Sequence, residues 1–112
     1  MKRTIRRARQ VKDDIVKLYG YIHARSPQAA ERVLNGIEQS IRSLLDAPGV
    51  GRYWNSPDSR LQGMKMTPVT RYRNYLIFFR DTGEHIEVFR VVHGARELNR
   101  VVDEMDFDFE DE

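Results

Sequence analysis

The sequence predicts an α+β fold in which a helical hairpin covers one face of a mostly antiparallel sheet. Val11, Ile15, Leu18 and Ile22 recur at spacings of four, three and four, the pattern of a single helix face. Ala30, Val33, Leu34, Ile37, Ile41, Leu44 and Leu45 repeat that periodicity just after Ser26-Pro27, so the second helix must fold back on the first. Beyond Gly63 the helical spacing gives way to runs rich in β-branched and aromatic residues, broken by turn residues. The order is β-α-α-β-β-β-α, without internal repeats.

Each element has its own local reason. Residues 3–8 are too short and too charged for a buried helix and read as an edge strand. The first helix spans roughly 10–24. Ser26 caps the second, Pro27 sits where a missing N–H costs nothing, and Pro48-Gly49 stops it. Gly49 to Gly63 has the makeup of a loop, with Tyr53-Trp54 as the aromatics that pin it to the body. Met64–Thr70 follows as an outer strand, because Pro68 cannot donate to a ladder. Tyr75–Arg80 and His85–Val92 form a hairpin about the turn Asp81-Thr82-Gly83-Glu84. Gly94 turns the chain into a short helix through Ala95, Leu98, Val101 and Val102.

A chain of 112 residues with 40% hydrophobic content supports one compact domain, expected over residues 1–102. No apolar stretch is long enough to span a membrane and none follows the basic N-terminus as a signal, so the expected location is the cytoplasm. The absence of cysteine excludes disulfide, thiolate and zinc–cysteine chemistry. No cofactor or metal is implied.

Charge is segregated. Residues 103–112, DEMDFDFEDE, hold seven of the 17 acidic residues and no basic one. That leaves 19 basic against 10 acidic residues in 1–102, a net +9, whose field attracts phosphate polymers or acidic protein surfaces. Fifteen of the 19 cations are arginine, which favours planar contacts with carboxylate or phosphate. The acidic segment reads as a disordered tail whose charge resists packing. Its alternation of Met105, Phe107 and Phe109 with acids leaves open an added edge strand, or a mask over the chain's own arginines.

Three histidines need weighing. His23 suits the negative end of the first helix dipole, and His85 beside the hairpin turn reads as solvent-exposed. His93 ends the last strand, where a local hydrogen bond at the turn, acid–base chemistry and contact with a target all remain open. Cleaving RNA beside a 2′-hydroxyl requires a base, an acid and cations on the phosphate. Arg71, Arg73, Arg90 and Arg96 with His93 would supply part of that set, but no Glu or Lys neighbour completes it. Tyr72 and Tyr75 are the remaining acids, and both suit cross-strand packing.

Five stretches in order carry a family resemblance: Asp13-Asp14-Ile15 with Tyr21-Ile22; Ser26-Pro27-Gln28-Ala29-Ala30; Pro48-Gly49-Val50-Gly51-Arg52; Arg71 through Arg80; and Arg90-Val91-Val92-His93-Gly94-Ala95-Arg96-Glu97-Leu98. Over about residues 5–102 the chain resembles the ParE branch of the RelE/ParE toxins. The resemblance implies the toxin of a type II toxin–antitoxin pair, held inactive by a ParD-like antitoxin in a hetero-oligomer and acting on DNA gyrase. Operator DNA would be reached only through the antitoxin. RelE-type relatives on the same fold cleave messenger RNA instead, so ribosome-dependent cleavage is the alternative, and a non-toxic relative that only binds its antitoxin is another. Target contacts are expected at Arg71, Arg73, Arg90, His93 and Arg96. Antitoxin contacts are expected at Tyr19, Tyr21, Arg25 and Ile5.

Overall fold

The computed structural model describes residues 3–47, 49–54, 58–97, 101, 105 and 107–111. Strand β1 (Thr4–Ala8) leads directly into helix α1 (Arg9–His23), and α2 (Pro27–Ser43) returns across it. Ser26 caps α2 as its composition requires, its Oγ accepting the Ala29 N–H at 3.2 Å. Short β2 (Arg52–Tyr53), one 3₁₀ turn (Ser59–Leu61), β3 (Lys65–Val69), β4 (Tyr72–Asp81), β5 (His85–His93), α3 (Gly94–Glu97) and β6 (Phe109–Asp111) complete the chain.

The sheet order is β2-β3-β4-β5-β1-β6. Among the described residues only β1 and β5 run parallel, with Ile5 opposite Ile86. The hairpin β4–β5 pairs Tyr75 with His93 and Asp81 with Ile86, and a bulge between Phe78 and Phe79 leaves Phe89 as the extra residue on β5. Strand β3 is not quite the outer strand expected from Pro68. Arg52 and Tyr53 of β2 pair outside Met66 and Lys65, but stop short of the proline.

Two cores lie on opposite faces of the sheet. Val11, Val33, Ile37, Ile41 and Leu44 of the helical region pack on Ile5, Ile77, Phe79, Ile86, Val88 and Val91. On the other face Leu61, Met64, Phe78, Phe89, Val92 and Val101 pack with Trp54, Met105, Phe107 and Phe109. Residues 86–92 are therefore buried throughout, which is why β5 reads IEVFRVV rather than alternating apolar with polar. Of the loop aromatics expected to act as pins, Trp54 does so, edge-on to Phe78 at 5.5 Å. Tyr53 is 69% exposed beside Lys65.

The acidic segment, expected as a disordered tail with an added edge strand left open, contributes a strand among its described residues. Phe109–Asp111 pairs antiparallel with β1, matching Arg6 with Asp111 and Ala8 with Phe109. Phe109 and Phe107 meet the Phe89 ring edge-on at 5.1 and 5.7 Å. Apolar alternation outweighs charge here because every second side chain finds an aromatic partner and the acids face Arg6 and Arg9.

Gly94 was expected to let the last strand turn sharply into the final helix. Its φ is not positive; a Cβ there would lie 2.9 Å from Leu76 Cδ1, so the glycine serves close packing of α3 on β4. Gly51 needs both, with φ +92° and only 2.8 Å from its Cβ direction to the Met66 carbonyl oxygen. Leu98 and Val102, expected to continue the last helix, and Pro48, expected to stop α2, lie outside the described residues.

Candidate functional site

The site grows from one buried ion pair. Asp14 projects from α1 at the helical step after Val11, on the face that packs against the sheet. Its carboxylate accepts two bonds from Arg90, at 2.8 Å each from Nε and Nη2, and a third from the Val91 N–H at 3.0 Å. Burial pushes the Asp14 carboxyl up, and the Arg90 guanidinium and Val91 amide pull it back. The pair fixes α1 against β5. Arg90, expected as a target or catalytic cation, is only 5% exposed and holds Asp14.

Beside this pair a cleft of about 170 Å³ opens between α1, the paired ends of β4 and β5, and α3. Lys17 and Tyr21 line it from α1, Tyr75 and His93 from the sheet, and Arg96 and Glu97 from α3. His93 packs edge-on to Tyr75, with ring centroids 5.3 Å apart. The local hydrogen bond expected for His93 is not made through Nδ1, which is buried and has no hydrogen-bond partner among the described residues. Arg96 and Arg25 both bring their guanidinium carbons to the Tyr21 ring, at 4.4 and 4.1 Å. Tyr21 nevertheless remains 47% exposed, so this cation–aromatic cluster forms an accessible rim.

The other named residues lie apart. Arg71 and Arg73 border a groove of about 610 Å³ shared with Arg52, Pro68 and Leu76. Arg71 also borders a polar groove with Arg32, Asn35 and Gln39. No residue lines both the His93 cleft and the Arg71–Arg73 groove. Among the described residues, neither arginine-rich groove is lined by an acid. Arg71 occupies the β3–β4 turn with φ 73°, the only non-glycine residue with positive φ among those described.

Two of the antitoxin candidates change character. Ile5 is 3% exposed and belongs to the core, so its side chain cannot meet a partner. Tyr19 is half-buried and donates its hydroxyl proton to Glu31, tying α1 to α2, and its ring stacks on His23. Tyr21 and Arg25 stay exposed. His85, read as solvent-exposed, is half-buried with Nδ1 2.8 Å from Thr4 Oγ1.

Sequence reasoning missed Asp14, Lys17 and Glu97 as cleft residues and Arg52 as the third cation of the groove. Asp14 carried a readable signal: a carboxylate three residues after Val11 and four before Leu18 falls on the buried stripe of α1.

The comparisons bear on which family built this arrangement. The model of the ParE toxin of the type II toxin–antitoxin system parDE matches residues 5–98. The chain belongs to the ParE toxin family. A chain of the chromosomal ParDE TA system from P. aeruginosa superposes with a TM-score of 0.66 at 20% identity, over 82% of this chain and 96% of that one. At that identity it supports the fold: the N-terminal strand, helical hairpin and mostly antiparallel sheet of a ParE toxin. No curated protein sequence matches the chain.

Proposed function

We propose that this ParE-type toxin acts by inhibiting DNA gyrase and so blocking replication, and that a cognate ParD-like antitoxin neutralises it in a hetero-oligomeric complex. The observation that carries the choice over RNA cleavage is the dispersal of the cleavage set. Arg90 holds Asp14, while Arg71 and Arg73 line a different groove from His93. A general base needs an orienting partner, and the buried His93 Nδ1 has no hydrogen-bond partner among the described residues, while the cations that share its cleft are Lys17 and Arg96 rather than Arg71, Arg73 or Arg90.

Target contact then belongs to surfaces rather than to chemistry. Arg71, Arg73, His93 and Arg96 remain its candidates, with Arg52 added by the groove. Tyr21 and Arg25 are the accessible part of the antitoxin face. No described helix is long and apolar enough to cross a membrane, in keeping with a cytoplasmic site of action. Operator DNA is reached through the antitoxin.

Expression of the chain without antitoxin in bacteria tests the reading. Plasmid supercoiling and DNA breakage are followed beside bulk protein synthesis. Altered supercoiling or broken DNA with translation continuing is the expected outcome. An immediate halt in translation with intact DNA would assign the chain to the cleaving branch, and no effect on either would assign it to relatives that only bind their antitoxin.

A further inference from the structure

Two groups of arginines stand apart. Arg3, Arg6, Arg9, Arg60 and Arg80 each meet a carboxylate of this chain. Arg32, Arg52, Arg71 and Arg73 are exposed and meet none among the described residues. These four line the two arginine-rich grooves, of about 610 and 470 Å³, which share Thr70 and Arg71 and so join at the β3–β4 turn. Two contacts hold α2 against that turn. Ser40 Oγ accepts the Thr70 N–H at 3.0 Å, and a Cβ on Gly36 would lie 2.9 Å from the Tyr72 ring. The four cations therefore ride on a fixed frame, with Arg71 kept at φ 73° where glycine would be unstrained. Such strain, on an exposed side chain with no carboxylate of its own, is a sign of function.

We propose that this arginine track binds the phosphate backbone of duplex DNA without regard to sequence. Guanidinium groups match phosphate oxygens in planar pairs, and Asn35, Gln39, Thr67 and Thr70 in the same grooves add the neutral donors that backbone contacts use. Arg52 stands opposite Met66, and from Met66 to Val69 at the turn β3 rises about 10 Å. That equals about three steps of duplex rise, so the cations at the two ends reach different phosphates. Single-stranded nucleic acid calls instead for exposed rings on which bases stack. Among the described residues the aromatic lining these grooves is Tyr72, half-buried against Gly36, and Tyr53 lines neither. The acidic strand β6 lies at the opposite edge of the sheet from β2, about 24 Å away across five strand spacings. That is beyond the screening length of about 8 Å, so the tail leaves the track's field intact.

Fluorescence anisotropy of a short labelled duplex of arbitrary sequence, titrated with the full chain, tests the proposal. Four arginine–phosphate contacts give a salt slope of about −3.6, so affinity is expected to fall about 150-fold between roughly 50 and 200 mM salt. The Arg71→Gly/Arg73→Gln variant, which suits the backbone angle of the turn, should reduce the slope to about −1.8 and that fall to about 12-fold. Arg32→Gln/Arg52→Gln shares no residue with it and is expected to act alike, so the test stands even where one variant does not fold. Lys12 lines neither groove, and Lys12→Gln should keep the native slope.

An equal loss of slope per charge at Lys12 would overturn the proposal in favour of diffuse attraction. Tighter binding of a single-stranded oligonucleotide than of the duplex would also overturn it, and competition by polyglutamate as strong as that by unlabelled duplex would assign the track to an acidic protein surface instead. That the DNA is met within the gyrase complex rests on the gyrase reading, whereas the titration uses DNA alone. A halt in translation on expression would overturn that reading and leave the track standing; a duplex left unbound would overturn the track and leave gyrase inhibition standing.

Discussion

The Asp14–Arg90 pair illustrates how one buried residue constrains many others. Two charges removed from water gain little net stability as a pair, yet breaking the pair strands one of them in the core. Asp14→Ala, which removes both of the oxygens that accept from Arg90 and Val91, is therefore expected to destabilise the chain by about 3–5 kcal/mol in urea unfolding. An Asp14→Leu/Arg90→Met double variant should cost much less, since neither charge remains. Arg71 makes the converse case. At φ 73° an L-residue carries a conformational cost of about 1–2 kcal/mol that glycine escapes, offset in part by glycine's looser unfolded chain. Arg71→Gly should leave stability unchanged or raise it by up to about 1 kcal/mol. If Arg71 contacts the target, the same change lowers growth arrest, and that split between stability and toxicity identifies a contact residue. Residue types were legible in the sequence where they act locally, as with Ser26. They were not where the partner lies far along the chain: Arg90 meets Asp14 across 76 positions, and Gly94 packs closely against Leu76.

At the scale of elements, periodicity located both helices to within a residue at their starts, because amphipathic spacing and a capped N-terminus are local signals. Ser26→Ala tests the second of these. Loss of the bond to the Ala29 N–H should lower the unfolding free energy by about 1 kcal/mol, with Ser26→Gly costing only a few tenths. The strands were legible as type, less so in extent: β4 begins at Tyr72 because Val69 and Tyr72 close a tight turn through Thr70 and Arg71. Strand β6 illustrates the limit of composition. Charge density argues for disorder when each residue is scored alone, and only the presence of the Phe89 face, formed by a bulge in β5, turns Phe107 and Phe109 into packed residues.

Over the whole molecule, the ends of distant elements are tied by carboxylates, so stability should depend on pH in a defined sense. Asp81 accepts from the Gly83 N–H at 2.8 Å and from Arg3 Nε at 2.7 Å, and these hold its carboxyl below its ordinary value near 3.8. Asp58 is held low by Arg60 in the same way. A depressed folded value means the unfolded chain binds more protons, so this contribution is present above about pH 4 and is lost as pH falls through the folded value. Asp14, whose carboxyl is raised by burial, acts oppositely: its contribution is complete at acid pH and is lost as pH rises through its folded value. The two senses can be separated by Asp81→Asn, which keeps the shape of the turn but cannot ionise. The denaturation midpoint of the native chain should exceed that of the variant most clearly near neutral pH, and the two curves should converge toward about pH 3. A gap that stays constant across that range would mean that Asp81 stabilises the β4–β5 turn and its link to Arg3 through neutral hydrogen bonding rather than through its charge.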